Sequence, residues 1–251
     1  MQGQQPATGE GARIEWHDAL DSTNAEAMRR VRAGERGPLW IAARRQLAGR
    51  GRNGRGWTSE PGNLYASLLA TLEGPPAKAA QLSLLVGVAV HDAVEHLAPR
   101  VAVDLKWPND LLIDGAKLAG ILIESQTVPG ASSLSVVIGI GLNLAHHPEL
   151  PDRRSTSLVE HGVTVAPETA LASVSQCLGR WLAAWEGGEG ESCVRRAWLE
   201  RAMQRGTPLS VRAGGETLTG WFAGLDDTGA LLLEEATGGK RRVTFGDVQI
   251  V

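Results

Sequence analysis

The apolar positions of the chain alternate between helical and strand periods. Ile14-Glu15-Trp16 predicts a short strand. A helix is expected next, with Thr23 as N-cap and Glu26 three residues on, the spacing of a capping box, and with Gly34 as its stop. Leu39-Trp40-Ile41-Ala42-Ala43 and the run from Leu64 to Leu72 predict buried strands. From Pro76 to Leu97, the residues Ala79, Leu82, Val86, Ala89, Ala93 and Leu97 fall on one face of a core helix. Val101 to Lys106 reads as a strand. Leu111-Leu112-Ile113 and Leu118 to Ile123 flank Asp114-Gly115, a strong hairpin signal. A further apolar strand is expected over Val136 to Leu144, and helices over Glu168 to Trp185 and Glu191 to Gln204.

The pattern changes near Gly206-Thr207-Pro208. Short strands are predicted there over Leu209 to Arg212, Thr217 to Ala223, Ala230 to Glu234 and Arg241 to Phe245. Gly214-Gly215, Asp227-Thr228-Gly229 and Gly238-Gly239 separate them. This spacing suits a small β-barrel appendix. The expected class is α+β, a mixed central sheet with flanking helices. The expected division is a flexible 1–12, a main domain over 13–204 and a β-domain over 205–251.

The composition narrows the setting without naming a function. The chain has 251 residues, 43% of them hydrophobic and 21% charged, which suits a globular core. Its net charge of −3 gives no whole-molecule attraction to nucleic acid or anionic membranes. The polar N-terminus lacks a signal-peptide core, and the longest apolar stretch, Leu82 to Val90, is too short to span a bilayer. Cys177 and Cys193 cannot build a disulfide framework, so a reducing, cytoplasmic setting is expected.

Three segments carry candidate chemistry. The first runs from Arg44 to Trp57 and holds five Arg and four Gly in an otherwise slightly acidic chain. Glycine allows close backbone approach, and Arg forks bind phosphate or carboxylate. A loop closing on an anion is one reading; a solvated basic loop is the other. Gly49 to Gly54 matches G-x-G-x-x-G, but a strand rather than a helix should follow, and Arg55-Gly56 stands where a P-loop needs Lys-Ser/Thr. Both nucleotide-fold readings therefore fail. The second segment, Lys106-Trp107-Pro108-Asn109-Asp110, places an amine, an amide and a carboxylate at a strand end, within reach of Lys117. The third, Gly139-Ile140-Gly141-Leu142-Asn143, lets a ligand or a helix approach a strand closely. His91, His96 and His146-His147 lack metal-site spacing, and the cysteines lie on late helices.

Together these segments resemble the biotin protein ligases, from about Ile14 onward. The resemblance rests on Asp21-Ser22-Thr23-Asn24, Gln46 through Trp57 with its G-R-G-R core, Gly62-Asn63-Leu64-Tyr65, Lys106 through Asp110, Lys117 through Leu122, and Gly139-x-Gly141-x-Asn143. It implies a catalytic domain like that of class II aminoacyl-tRNA synthetases, followed by an SH3-like barrel. It also implies an ATP- and Mg²⁺-dependent biotin–biotin carboxyl-carrier protein ligase, which makes biotinyl-5′-AMP and transfers biotin to a carrier lysine. On the same ground, Ser22, Thr23, Asn24 and Gln46 would hold the ureido ring of biotin. Arg50, Gly51 and Arg52 would cover its carboxylate and the phosphate, and Lys117 would bridge the two. Lys106 and Asp110 would orient the reacting groups. Trp57, Asn109, Gly139, Gly141 and Asn143 would serve the nucleotide. Asn53 and Gly56 stand where the family loop often has basic residues.

The alternatives are a lipoate ligase or octanoyltransferase of the same broad fold, or a non-catalytic anion-binding protein. No Cys lies in the motif region, as a transferase needs, and no glycine triplet follows Arg44-Arg45, as lipoate ligases favour. Only 21 residues precede Ser22, so no DNA-binding domain, no repressor role and no nucleic-acid partner are expected. A monomer and a homodimer both remain compatible with the sequence.

Overall fold

Successive strand residues point to opposite faces, and in the middle of the main sheet both faces are buried, so a layer covers one side and a smaller one part of the other. The computed structural model of the protein describes residues 11–73, 78–127, 133–150, 153–186 and 190–251. The expected flexible segment 1–12 and the expected helix start at Pro76 lie largely or wholly outside them. The first part comprises β1 (Arg13–His17), α1 (Thr23–Arg32), β2 (Leu39–Ala43), β3 (Leu64–Glu73), α2 (Lys78–Leu97), β4 (Asp104–Lys106), β5 (Asp110–Ile113), β6 (Ala116–Thr127), β7 (Ser133–Leu142), α3 (Pro167–Glu186) and α4 (Gly190–Glu200). Its seven strands run in the order β1-β2-β3-β7-β6-β5-β4, with β1 and β2 parallel and the remaining pairs antiparallel.

Trp40 and Ala42 of β2, the even-numbered residues from Leu64 to Leu72 on β3, and Val136, Ile138, Ile140 and Leu142 of β7 join the large core under α2 and α3. The opposite face is thinner. There Leu39, Ile41, Leu69 and Val137 meet only Ala27 and Val31 of α1 among the fully buried residues. Helix α1 thus covers part of that face, and its N-terminus stands at the edge of the uncovered part.

The second part is β8 (Pro208–Ala213), β9 (Glu216–Leu225), β10 (Leu231–Glu234), β11 (Lys240–Val243) and β12 (Asp247–Ile250). They form an antiparallel five-stranded sheet ordered β11-β10-β9-β8-β12. The mixed α+β class with a small C-terminal β-unit is what the residue pattern implied.

Local expectations changed at four places. Ser22, not Thr23, is the N-cap of α1: it is extended (φ −158°, ψ 137°) and its hydroxyl accepts from Ala25 N. Glu26 therefore falls one residue past the capping-box position, and its carboxylate takes Arg29 and Arg30 instead. The strand expected from Val101 is only Asp104–Lys106, because Val101 N turns back to Ala98 O. The last helix ends at Glu200 rather than Gln204, because Arg201 O and Met203 N pair with Leu105 as a strand would. Strand β12 was not foreseen at all. The Asp114-Gly115 turn is as expected, with φ of 48° and 75°, both in the left-handed region that this hairpin type needs.

Candidate active site

Missing side chains open a cavity on the thin face of the sheet. Across the strands, Gly139 is level with Ser67 and Leu122, and Gly141 with Tyr65 and Gly120. A β-carbon at Gly139 would overlap the carboxamide of Asn24, and one at Gly141 would overlap the Trp57 indole. The glycines therefore let two side chains lie flat on the strands. Above them is a cavity of about 440 Å³, lined on one side by the start of α1 and on the other by the arginine-rich segment.

The end under α1 is a continuous polar network. Gln46 Oε1 accepts from both the backbone N (2.9 Å) and the hydroxyl (3.2 Å) of Thr23, and Gln46 Nε2 donates to Ser59 Oγ at 3.0 Å. Ser67 Oγ lies 2.8 Å from Thr23 Oγ1 and 2.6 Å from Asn24 Oδ1. Ser22, Thr23, Asn24 and Ser67 are buried, so each polar atom needs a partner from protein or ligand.

The segment 49–57 is a small hairpin folded over the cavity. Trp57 N donates to Gly49 O and Gly51 N to Arg55 O, while a 3₁₀ turn over Arg52–Gly54 forms its tip. Asn53 sits there at φ 55°, ψ 30°, a left-handed conformation that asparagine tolerates better than a long basic side chain does. Each of three arginines has an acceptor. Arg50 reaches Glu124 at 3.4 Å, Arg52 donates to Asn109 Oδ1 (3.1 Å) and Gly246 O (3.2 Å), and Arg55 forms a two-point pair with Asp247 (2.8 and 2.5 Å). The Arg55 guanidinium holds the Asp247 carboxyl below its ordinary value. Burial pushes the Arg52 guanidinium down, against the pull of Asp110 and Asp247.

The far end carries charge in a dry place. Asp110 Oδ2 is 2.9 Å from Lys106 Nζ, and its Oδ1 is 2.5 Å from Lys117 Nζ. The pairing of β5 with β4 and β6 sets this geometry: Lys106 is level with Asp110, and the register shift at Leu111/Leu112 carries Lys117 toward it. Burial alone would raise the Asp110 pKa, but Lys117 and Lys106 outweigh it and hold the carboxyl well below its usual range. Burial pushes the Lys117 ammonium below the ordinary lysine value, with Asp110 opposing. With both lysines protonated the trio carries one net positive charge. Lys117 Nζ also lies 5.4 Å from the Trp57 ring centroid. Trp57 Nε1 is buried with no hydrogen-bond partner among the described residues, a donor left for a ligand.

Of the fifteen residues singled out from the sequence, fourteen line this one cavity; Lys106 stands behind Asp110 and does not. Gly139 and Gly141 separate within it. Gly141 lies beside Trp57, whereas Gly139 lies beside Asn24, at the end away from the lysines. Asn143 is committed to its own loop, since its Nδ2 donates to Thr156 O at 3.0 Å. Sequence reasoning missed Arg55, Asp247, and the wall formed by Pro148, Leu150, Arg153 and Ser155. That wall is docked by Lys117 N donating to Arg154 O and Thr156 N to Lys117 O. No residue spacing announces either contact.

This architecture is that of a known enzyme class. Residues 17–143 match the model of the biotin/lipoate A/B protein ligase family, and 206–251 match that of the biotin protein ligase C-terminal domain. The chain belongs to the biotin/lipoate A/B protein ligase family. It is 40% identical to the biotin–acetyl-CoA-carboxylase ligase of Paracoccus denitrificans over 226 residues, covering 87% of this chain and 92% of that protein. It is 34% identical to the bifunctional ligase/repressor BirA of Bacillus subtilis over 96% of this chain and 74% of that one. Its fold is similar to that of a biotin protein ligase from Aquifex aeolicus solved with biotin and ATP. The TM-score is 0.80 at 24% identity, covering 95% of this chain and 99% of the other.

Proposed function

We propose that the protein joins biotin to a lysine of a biotin carboxyl carrier domain, by way of biotinyl-5′-AMP. The observation that carries this is the placement of the arginine hairpin and the Lys106–Asp110–Lys117 trio across one cavity from a buried, uncharged polar network. A substrate with a neutral polar head and an anionic tail fits that gradient. The ureido ring is the head, satisfied by Ser22, Thr23, Asn24 and Gln46. The carboxylate is the tail, directed at Arg50, Arg52 and Lys117.

In the first step a carboxylate oxygen of biotin attacks the α-phosphorus of ATP and pyrophosphate leaves. Both partners are anions, so the barrier falls when fixed cations share the charge. The Lys117 ammonium, held by Asp110, is already oriented and needs no solvent reorganisation. Arg52, held by Asn109, covers the same region. Trp57 and Asn109 lie at the nucleotide end. In the second step the carrier lysine, as a free amine, attacks the acyl carbon, AMP leaves with the bonding electron pair, and the nitrogen gives up a proton to solvent as the amide forms. No protein nucleophile is required; positioning and charge stabilisation suffice.

Mg²⁺ enters this reading as part of the MgATP substrate. The acids lining the cavity are Asp110 and Asp247, each already ion-paired, and among the described residues they form no ligand set of their own. The proposed setting is the cytoplasm, where ATP and carrier domains meet; no described helix is long and apolar enough to cross a membrane. Division into a catalytic unit over 13–204 and a barrel over 205–251, and ligation without a repressor role, belong to the same proposal.

The test is a mass measurement. The protein is incubated with MgATP, a carrier domain, and either biotin or lipoate. The expected result is a carrier heavier by one biotinyl group and no gain with lipoate. No gain with biotin sinks the proposal, and gain with lipoate alone moves the protein to the other branch of its family.

A further inference from the structure

Strand β6 presents Gly120, Leu122 and Glu124 to the same face, because residues two apart share a side. Glu124 lies just beyond the cavity floor, and its carboxylate meets both the start of α1 and the root of the arginine hairpin. Its Oε2 accepts from Asn24 Nδ2 at 2.8 Å, and both its oxygens lie 3.4 Å from Arg50 Nη2. We infer that Glu124 is a positioning residue that orients the Asn24 carboxamide in the pocket floor and ties it to the first arginine of the hairpin.

The orientation follows from donor and acceptor chemistry. Asn24 Nδ2 has two protons, and its two partners, Glu124 Oε2 and Leu122 O at 3.3 Å, can only accept. The amide nitrogen must therefore face β6, and it has nothing left to donate. The carbonyl oxygen turns the other way, where Ser67 Oγ is 2.6 Å distant and one lone pair remains. Asn24 is buried, so this orientation is not averaged by water. Asn24 can then only accept from a ligand, which selects a ligand N–H at that point.

The second contact gives the residue its coupling role. Arg50 opens the hairpin, and bridging between Arg50 and Gly56 closes the hairpin's base. One carboxylate thus fixes both an acceptor for the substrate's head and the root of the cover over its tail. Glu124 is about 30% exposed and touches neither the lysine trio nor Asn109, so losing it should leave ATP binding intact.

This inference rests on the biotin reading, and the test separates the two. Biotin affinity is measured by calorimetry, release of bound adenylate by its dissociation rate, and KM for ATP by kinetics. These are compared for the wild type, Glu124→Ala and Glu124→Gln. Glu124→Ala is expected to weaken biotin binding about tenfold and to speed adenylate release two- to fivefold, with KM for ATP within twofold of wild type. Glu124→Gln keeps an oxygen for Asn24 and loses the charge facing Arg50. It should bind biotin within about twofold of wild type and still release adenylate faster. This second pattern stands as the test if the alanine variant fails to fold. Unchanged biotin affinity and release in both variants, or a uniform loss that includes KM for ATP, overturns the inference while leaving ligation in place. A wild-type protein that binds no biotin removes both readings.

Discussion

Lys117 and Asp110 form a buried ion pair, 2.5 Å between Nζ and Oδ1, and the same carboxylate also serves Lys106. One acid therefore bridges two lysines that would otherwise repel in a dry site, and the trio keeps one net positive charge. Asp110→Asn should be costly twice. Leaving buried charge uncompensated typically costs about 3–5 kcal/mol, read as a lower urea midpoint. Adenylate formation should fall about a hundredfold or more, the scale of losing a preorganised charge-stabilising group. Lys117→Ala should lose adenylate formation on that scale with a smaller loss of stability, because Lys106 still pairs with Asp110.

A different outcome is expected at the hairpin. Asp247→Ala removes the acceptor of Arg55, a pair that is partly exposed at both ends. Stability should change by less than about 1 kcal/mol. Adenylate should form at near the normal rate but leak into solution several-fold faster; Arg52→Ala should leak likewise and, having lost a cation that shares the charge, should also form adenylate more slowly. Retention of labelled adenylate on a desalting column separates this from a defect in its formation.

The two strand glycines offer a split that no single-role account gives. An alanine at Gly139 would push Asn24 aside, and one at Gly141 would push Trp57 aside. Gly139→Ala is expected to raise KM for biotin by about tenfold or more, roughly 1.4 kcal/mol, with KM for ATP little changed. Gly141→Ala should do the reverse. Equal effects on both substrates from both variants would contradict the placement.

Much of this site was legible in the chain, for identifiable reasons. Lys106 to Asp110 and Lys117 flank a hairpin whose Asp114-Gly115 turn is local, so their meeting follows from short-range rules. Gly139 and Gly141 stood out because glycine is a poor strand residue unless something approaches. Asp247 and Glu124 were not legible. Each meets its arginine only through tertiary packing, across 192 and 74 residues, and nothing near either marks it. The exchange of Ser22 for Thr23 as helix cap has the same origin, since the Thr23 hydroxyl is drawn to Gln46 instead.

Acid should loosen the helical layer. Asp92 on α2 accepts from Trp181 Nε1 of α3 at 2.9 Å and from Arg201 Nε after α4 at 2.8 Å. Burial raises its pKa, but His91, Trp181 and Arg201 more than reverse this and hold it at about 2, below the unfolded value of 3.8. A depressed carboxyl pKa adds stability that is present above the unfolded value and is lost as pH falls from about 4 toward 2. Asp92→Asn should therefore cost about 1–2 kcal/mol at neutral pH. The gap to wild type should close below pH 3 in urea titrations. A constant gap across that range would show that the ionised carboxylate is not the source.

Gly246 and the first two residues of β12 face the site: Gly246 O accepts from Arg52, Asp247 from Arg55, and Val248 O from Lys106. These cations come from early in the chain, and their acceptors are among its final residues. A ribosome emits the hairpin long before β12 exists to receive it. The hairpin therefore has no seat until β12 lies against β8, so closure of the cavity is set by the last strand to be made rather than by the segment that does the closing.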